Sequence, residues 1–215
     1  MERYVAFLRG VSPMNCKMPE LKRCFEAAGF CDVKTLLSSG NVAFSAKPEI
    51  VPVLESAAEA AMEEHLGRVF QTIVRPSSFL QRLVERKPFA DFKFPANAKP
   101  VITFLRRPHE GEVVLPLEQA QASIFKLERT EVFSAYVPDE KGVALGALLE
   151  KKFGKAITTR TLETVRKCAA SSSRDFRTVS GDLPRPARAT CADPIRLQAP
   201  AWWGTGAGAP RESVP

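Results

Sequence analysis

The residues best suited to bind a ligand are arginines, serines, asparagines and a threonine, with two glycines, beside predicted turns and at the starts of predicted elements. The residues concerned are Arg9, Gly10, Asn15, Ser38, Ser39, Gly40, Asn41, Thr159 and Arg160. An arginine fork, serine hydroxyls and the N–H groups of a loop or helix start are donors that bind phosphate or carboxylate. We therefore predict an anion-binding edge. The alternative is an ordinary turn at 38–41, with Arg9 paired to a carboxylate and Arg160 solvated at a helix start.

Other kinds of site find little support in the sequence. The glycine spacing matches neither a Walker loop nor Gly-x-Gly-x-x-Gly, so no nucleotide-binding motif is present. His65 and His109 lie outside any Ser-His-Asp or Cys-His arrangement, and no residues show the ligand spacing of a structural zinc site. The segment 106–109 leaves a predicted strand as Arg9 does, and we expect it to be a solvated loop. The sequence predicts no metal or cofactor, identifies no catalytic residue and leaves enzymatic activity open.

The first third of the chain alternates between strand-like and helical patterns. Apolar residues at 4–8, 33–37, 42–44 and 70–74 predict strands, and helical spacing covers 18–28 and 50–62. This order is typical of the split βαβ, or ferredoxin-like, unit. In that unit the first two strands are parallel and the third lies between them. The exit of the first strand and the turn at 38–41 should therefore meet at one end of the sheet.

A second, weaker series of elements follows. Ser77 is predicted to cap a short helix, 87–100 resembles an interdomain linker, and 101–105 is strand-like. A hairpin is predicted over 123–127 and 131–137. A helix over 145–153 follows, and Thr158 or Thr159 is expected to cap the last helix. The two halves share element order without obvious similarity between residues, so duplication stays a hypothesis.

These patterns predict an α+β fold of two ferredoxin-like (split βαβ) subdomains with mainly antiparallel sheets, followed by a disordered tail. The boundaries are 1–76, 77–170 and 171–215. The last segment contains six Pro, four Gly, six Arg and no Lys, without sustained periodicity. Trp202-Trp203 could be a docking element there. The alternative is that the segment has no function.

The composition is that of an ordinary globular protein with a basic excess. Of its 215 residues, 45% are hydrophobic and 26% charged, with a net charge of +7. This charge fits weak attraction to phosphates, and the alternative is a soluble protein that happens to be basic. No apolar run reaches the roughly 18–20 residues of a membrane span, and no signal-peptide pattern is present. We expect a cytoplasmic protein without a membrane partner. Its oligomeric state cannot be inferred.

Several motifs over residues 4–167 resemble a bacterial family catalogued only as domain of unknown function sixteen-ninety-seven. They are Tyr4-Val5-Ala6-Phe7-Leu8-Arg9-Gly10, Met18-Pro19-Glu20-Leu21, Ala28-Gly29-Phe30, Asp32-Val33-Lys34-Thr35, Ser38-Ser39-Gly40-Asn41-Val42 with Phe44, and Thr158-Thr159-Arg160. The resemblance implies an α+β fold with two related ferredoxin-like subdomains. It brings no activity, cofactor or catalytic residue.

The chain departs from the family pattern in two places. Many relatives carry Asn-Val-Gly-Gly after Arg-Gly, where this chain has Val-Ser-Pro-Met-Asn at 11–15. They also typically carry Trp and Asn where this chain has Leu162 and Glu163. Replacing Gly-Gly by Ser-Pro stiffens the first loop, so the identity of any ligand that it contacts does not carry over from the family.

The function that the sequence favours is binding of a phosphate-bearing ligand, a nucleotide or nucleic acid, at the edge formed by Arg9 and residues 38–41. One alternative is an enzyme on a small anionic metabolite that Arg9 and Arg160 orient. Another is a protein-interaction module that uses the helix at 145–153 or Trp202-Trp203.

Overall fold

The computed structural model describes residues 1–119, 121–138 and 144–171, which form two antiparallel sheets and five helices. The first half comprises β1 (Glu2–Leu8), α1 (Met18–Ala27), β2 (Cys31–Leu36), β3 (Asn41–Ala46), α2 (Val51–Leu66), β4 (Thr72–Pro76) and α3 (Ser77–Glu85). The second comprises β5 (Lys99–Leu105), β6 (Leu117–Gln119), β7 (Ala122–Glu128), β8 (Glu131–Tyr136), α4 (Ala144–Phe153), β9 (Ile157–Thr161) and α5 (Leu162–Ser171).

The strand order confirms the predicted fold class. In the first sheet the order is β2-β3-β1-β4, and β3 is antiparallel to both β1 and β2. The strands β1 and β2 are therefore parallel with β3 between them, as a split βαβ unit requires. The second sheet has the order β6-β7-β8-β5-β9, so β7-β8-β5-β9 repeats the arrangement of the first.

The second half lacks one helix of the ferredoxin-like pattern. In the first half α1 connects β1 to β2, whereas the described residues between β5 and β7 form no helix and contribute the short edge strand β6 instead. Pro116 lies just before β6, where its ring disfavours a helix. One side of the second sheet is therefore covered by α4 alone among the described helices.

The apolar residues form three layers of core. The outer face of the first sheet packs on α1 and α2, with Leu21, Phe25 and Met62 fully buried. Its inner face meets the inner face of the second sheet in a central cluster to which α3 and α5 also contribute. The outer face of the second sheet packs on α4. Both halves thus share the central layer, and the boundary between 1–76 and 77–170 stays a prediction.

Helix ends follow the local sequence in the two helices that cover the outer faces. In α2 the residue Pro52 occupies the first turn, where its missing N–H costs nothing. Gly67 ends this helix in the left-handed conformation, with φ +62°, and its N–H donates to the Glu63 carbonyl at 3.0 Å. The equivalent position after α4 is Gly154, with φ +80°.

Three local predictions are wrong. Thr158 and Thr159 do not cap a helix but lie in β9, and the hydroxyl of Thr161 instead accepts the Thr164 N–H at 3.2 Å at the start of α5. The run Thr-Thr-Arg-Thr lacks apolar alternation because β9 is an edge strand. Ser77 is not a cap either, since Pro76 precedes α3 and the Ser77 hydroxyl is buried without a described partner. Leu37, assigned to the second strand, lies in the turn after β2 with φ +59°.

The segment 87–100 does more than connect the halves. Phe89 is buried in the central cluster, and Phe92 and Phe94 stack on Phe125 of β7 at 4.8 and 5.8 Å. The prediction of a disordered tail and of docking by Trp202-Trp203 concerns residues outside the described part of the chain. Among the described helices, none has the length and apolar character needed to cross a membrane.

Candidate functional site

The exit of β1 and the turn before β3 lie at one end of the first sheet, as the topology predicts. Phe7 pairs with Asn41, and the Leu8 N–H donates to the Gly40 carbonyl at 2.8 Å. The loop after β1 is closed by Asn15, whose amide donates to the Gly10 carbonyl at 2.7 Å and accepts the Ser12 N–H at 2.8 Å. Gly10 and the turn 38–41 therefore form one continuous edge.

Arg160 reaches this edge from β9 in the other half of the molecule. Its guanidinium donates to the Asn41 side chain (2.6 Å), the Leu8 carbonyl (2.6 Å), the Ser39 carbonyl (3.1 Å), the Thr158 hydroxyl (2.8 Å) and the Thr159 carbonyl (2.9 Å). These contacts use all five N–H groups that an arginine has. The structure thus brings Arg160 together with the turn, as a partly buried link between the halves rather than a solvated residue. The Thr159 hydroxyl instead lies 2.8 Å from that of Thr103 in β5.

The partly buried charge of Arg160 is not paired with an acid among the described residues. Its six acceptors, which include the Gly40 carbonyl at 3.4 Å, are carbonyl, amide and hydroxyl oxygens, and no carboxylate of the described residues contacts it. Burial lowers the pKa of Arg160 to about 10, because desolvation disfavours the charged form. Oriented dipoles stabilise the cation but leave a net positive charge beneath the edge.

Arg75 of β4 occupies the equivalent position in the other half and does have an acid partner. Arg75 pairs in register with Val5, as Arg160 does with Ile102. Arg75 donates to the Leu105 carbonyl at 2.7 Å and to the Glu131 carboxylate at 2.8 Å. Glu131 faces Phe104 in its sheet just as Asn41 faces Phe7, so an amide stands in one arrangement where a carboxylate stands in the other.

Further contacts occur in matching pairs in the two halves. Arg75 lies 5.6 Å from the centroid of Phe104, and Arg160 lies 5.8 Å from that of Phe7. The rings of Phe7 and Phe104 stack on each other at 4.6 Å. Such matched contacts, together with the shared strand order, support the duplication hypothesis.

Arg9 is held by groups of the second half. It donates to the carbonyls of Lys155 (2.8 Å) and Ile157 (3.1 Å) and forms a salt bridge with Glu150. The side chain of Arg9 is 34% exposed, so this arginine borders the edge and still contacts solvent. The predicted alternative for Arg9, pairing with a carboxylate, therefore holds.

The turn itself offers hydroxyl groups to solvent. Ser38 and Ser39 are exposed, whereas Gly40 and Asn41 are buried. The Ser39 hydroxyl accepts the Asn41 amide at 3.1 Å, and Asn41 also donates to the Leu36 carbonyl at 3.0 Å. Gly40 has φ +69°, and a Cβ there would lie 2.7 Å from Val11, so only glycine fits. The close approach of the two loops depends on this residue.

A second cluster of charges was missed by the sequence analysis, which predicted a solvated loop at 106–109. Arg106 donates to both carboxylate oxygens of Glu59 at 2.8 and 2.9 Å, and Arg107 donates to Glu55 at 3.1 Å. Glu55 is fully buried and also accepts the Val74 N–H at 3.1 Å. One sequence feature could have indicated this cluster. Glu55 and Glu59 are four residues apart, on the side of α2 that carries buried alanines.

An open cleft of about 530 Å³ lies beside the exit of β5. Arg107, His109 and Phe153 line it, and the ring of His109 meets that of Phe153 edge-on at 5.3 Å. Among the described residues, no three His, Cys, Asp or Glu side chains are grouped as a metal site would need. Arg107, Pro108 and His109 of the cleft lining belong to the segment 106–109, for which the sequence predicted a solvated loop.

Comparison with known proteins gives a fold but no activity. None of the curated proteins matches the chain. Among solved structures, it is similar to the conserved bacterial protein SP0830 from Streptococcus pneumoniae, with a TM-score of 0.59 and 19% identity. The match covers 81% of this chain and 99% of that one, and at this identity it supports the fold alone. The family model described as "Protein of unknown function (DUF1697)" matches residues 1–134, and the chain belongs to that family.

Proposed function

We propose that the edge formed by Arg9, Gly10 and residues 38–41 binds a phosphate-bearing ligand. The observation that carries the proposal is the missing acid partner of Arg160. Its counterpart Arg75 is neutralised by Glu131, whereas Arg160 meets the neutral amide of Asn41. A partly buried cation without a counter-charge favours an anion at the nearest solvent-exposed groups.

Those nearest groups are the exposed serines of the turn. The Ser39 carbonyl accepts directly from Arg160, so a ligand on Ser38 and Ser39 lies close to the buried charge. At an effective dielectric constant of about 20, opposite charges roughly 8 Å apart attract by about 2 kcal/mol. The serine hydroxyls and the half-exposed Arg9 supply the hydrogen bonds that orient phosphate oxygens.

Binding is better supported than catalysis or a protein-interaction module. The described carboxylate beside the edge, Glu150, is engaged by Arg9 and is poorly placed to act as a general base. Leu145, Leu148 and Leu149 of α4 are buried against the second sheet, so they offer no surface to a partner. Nucleotides and nucleic acids stay the predicted ligand classes.

The test adds a negative charge at the exposed turn of the proposed edge. Ser38→Asp is compared with the neutral Ser38→Asn, and Ser56→Asp adds the same charge on an exposed position of α2. The full chain is titrated by calorimetry at low salt with pyrophosphate, ATP and a short single-stranded DNA. We expect Ser38→Asp alone to weaken binding at least tenfold.

The slope of affinity against salt concentration then counts the phosphate contacts, because each contact releases counterions. Absence of binding by the unmodified chain, or equal effects of Ser38→Asp and Ser56→Asp, would contradict the proposal.

A second variant acts on Arg160 without removing it. Asn41→Asp gives this arginine the carboxylate that Arg75 already has, and we expect weaker ligand binding because the buried charge is neutralised. The change also removes the amide donors to Leu36 and Ser39, so retention of the fold is checked by circular dichroism. Unchanged affinity in a folded Asn41→Asp protein would mean that Arg160 does not attract the ligand.

A further inference from the structure

Three exposed apolar side chains stand at the same end of the first sheet as the proposed edge. Met14 is 95% exposed, Leu37 46% and Val69 49%. We call this surface the loop end and define it as residues 9–17, 37–40 and 67–71. Single exposed apolar residues are common, but here one stands on each of three neighbouring loops.

Hydrogen bonds tie these loops to one another and to β1. Arg68 donates to the Asn15 carbonyl at 3.1 Å, the Arg9 N–H to the Gln71 carbonyl at 2.9 Å, and the Leu8 N–H to the Gly40 carbonyl at 2.8 Å. The apolar side chains are therefore carried by connected backbone segments at a single surface.

The conformation of Leu37 points to a role outside the fold. Its φ of +59° lies in the left-handed region that Gly and Asn adopt far more readily than leucine. Nearly half of its surface is exposed, so burial does not compensate for this conformation. A leucine that is neither favoured by the turn nor buried in the core is suited to contact a partner.

The charges of the loop end indicate an anionic partner. Its three loops contain Arg9, Lys17 and Arg68, of which Arg9 pairs with Glu150 and Lys17 lies 3.8 Å from Glu20. The neighbouring segment 151–155, whose Lys155 carbonyl binds Arg9, adds three lysines. The aromatic residue of these loops, Phe70, is buried, so they present no ring for stacking on nucleobases. Aliphatic tips surrounded by cations suit the boundary between lipid headgroups and acyl chains.

We propose that the loop end docks on an anionic phospholipid surface. Met14, Leu37 and Val69 enter the headgroup region, and the cations together with the Ser38–Ser39 edge contact lipid phosphates. The inference rests on the proposed function, because it takes the phosphate from a lipid headgroup. It departs from the expectation of no membrane partner, which was based on the lack of a spanning segment and does not bear on surface docking.

The experiment is co-sedimentation of the full chain with vesicles of phosphatidylcholine alone or with about 30% phosphatidylserine. The variant Met14→Ser/Leu37→Asn/Val69→Ser removes the apolar tips, and Asn suits the left-handed backbone at 37. The matched control is Ile50→Ser/Val114→Ser, which removes apolar side chains that are 64% and 88% exposed outside the loop end. We expect binding to the mixed vesicles only, weakened at least tenfold by the triple variant and unchanged by the control.

Lack of binding to the mixed vesicles, or equal losses in both variants, would overturn the inference. Two results together would also contradict the docking inference: tighter binding of a single-stranded DNA than of the vesicles, and unchanged vesicle binding by the triple variant. Suppose that the chain binds pyrophosphate, that Ser38→Asp abolishes this binding and that no vesicle binding occurs. This result would support the proposed function and contradict membrane docking. Vesicle binding that the triple variant weakens but Ser38→Asp does not would support docking. It would contradict phosphate binding at the edge.

Discussion

At the scale of single residues, the two equivalent arginines show how one acceptor changes the character of a site. Arg75 and Arg160 occupy matched strand positions and each reaches the last residue of the central strand of the other sheet. Glu131 makes the first arrangement a buried ion pair, whereas Asn41 leaves the second with a net charge. The charge of Arg75 is thus compensated within the protein, whereas that of Arg160 is the basis of the proposed anion site.

The buried ion pair leads to a prediction about stability. Glu131→Ala leaves Arg75 buried without its counter-charge, so we expect a loss of about 3–5 kcal/mol in the free energy of unfolding. The control is Glu128→Ala, which breaks exposed pairs with Arg86 and Lys126 and should cost no more than about 1 kcal/mol. Urea denaturation of both variants measures the difference. Similar losses in the two proteins would show that the Arg75 pair contributes no more than a surface pair.

At the scale of elements, polar residues form a strand where the sequence indicated a helix start. The strand β9 pairs with β5, and the hydroxyls of Thr159 and Thr103 are 2.8 Å apart. This pairing satisfies polar groups that would be costly to bury alone. The helix α5 begins two or three residues later than expected, because Thr161 supplies the hydroxyl that accepts a first-turn N–H.

A pair of hydroxyl deletions separates the actual cap from the predicted one. Thr161→Ala should destabilise the protein by about 1 kcal/mol, since it removes the acceptor for the Thr164 N–H. Ser77→Ala should cost nothing or stabilise, because it removes a buried hydroxyl without a described partner. Thermal or urea unfolding of both variants provides the measurement. A larger loss for Ser77→Ala would indicate that Ser77 has a partner, such as a buried water.

At the scale of the whole molecule, the halves are joined through a shared core. Val5, Phe7 and Ile73 of the first sheet pack in the same cluster as Ile102, Phe104 and Phe133 of the second. Arg9, Arg75, Arg106 and Arg160 each reach across from one half to the other. The two ferredoxin-like units thus cover each other's inner faces.

This shared core predicts that the first half does not fold cooperatively by itself. A fragment of residues 1–76 would expose Val5, Phe7 and Ile73 to water. We expect a broad thermal transition by circular dichroism and binding of a hydrophobic dye, in contrast to the sharp transition of the 1–171 chain. A sharp transition of the fragment without dye binding would support two independent domains instead.

Removal of the last segment should have little effect on stability. Its composition leads us to predict that a chain ending at Ala170 unfolds at nearly the same temperature as the full chain. In a domain of this size 1 kcal/mol shifts the midpoint by roughly 2–4 °C, so a drop of more than about 5 °C would contradict the prediction. Differential scanning calorimetry of both chains measures it.

The sequence by itself determined most elements of the first half and the meeting of the exit of β1 with the turn at 38–41. Both follow from local signals, because apolar periodicity and the placement of Gly and Pro define strands, helices and turns. Only the tertiary structure decided that Arg160 completes this edge, since its contact with Asn41 spans 119 residues. The same holds for Arg75 with Glu131 and for the polar strand β9. Such contacts depend on how two sheets pack face to face, and apolar periodicity within one segment carries no information about the partner across the core.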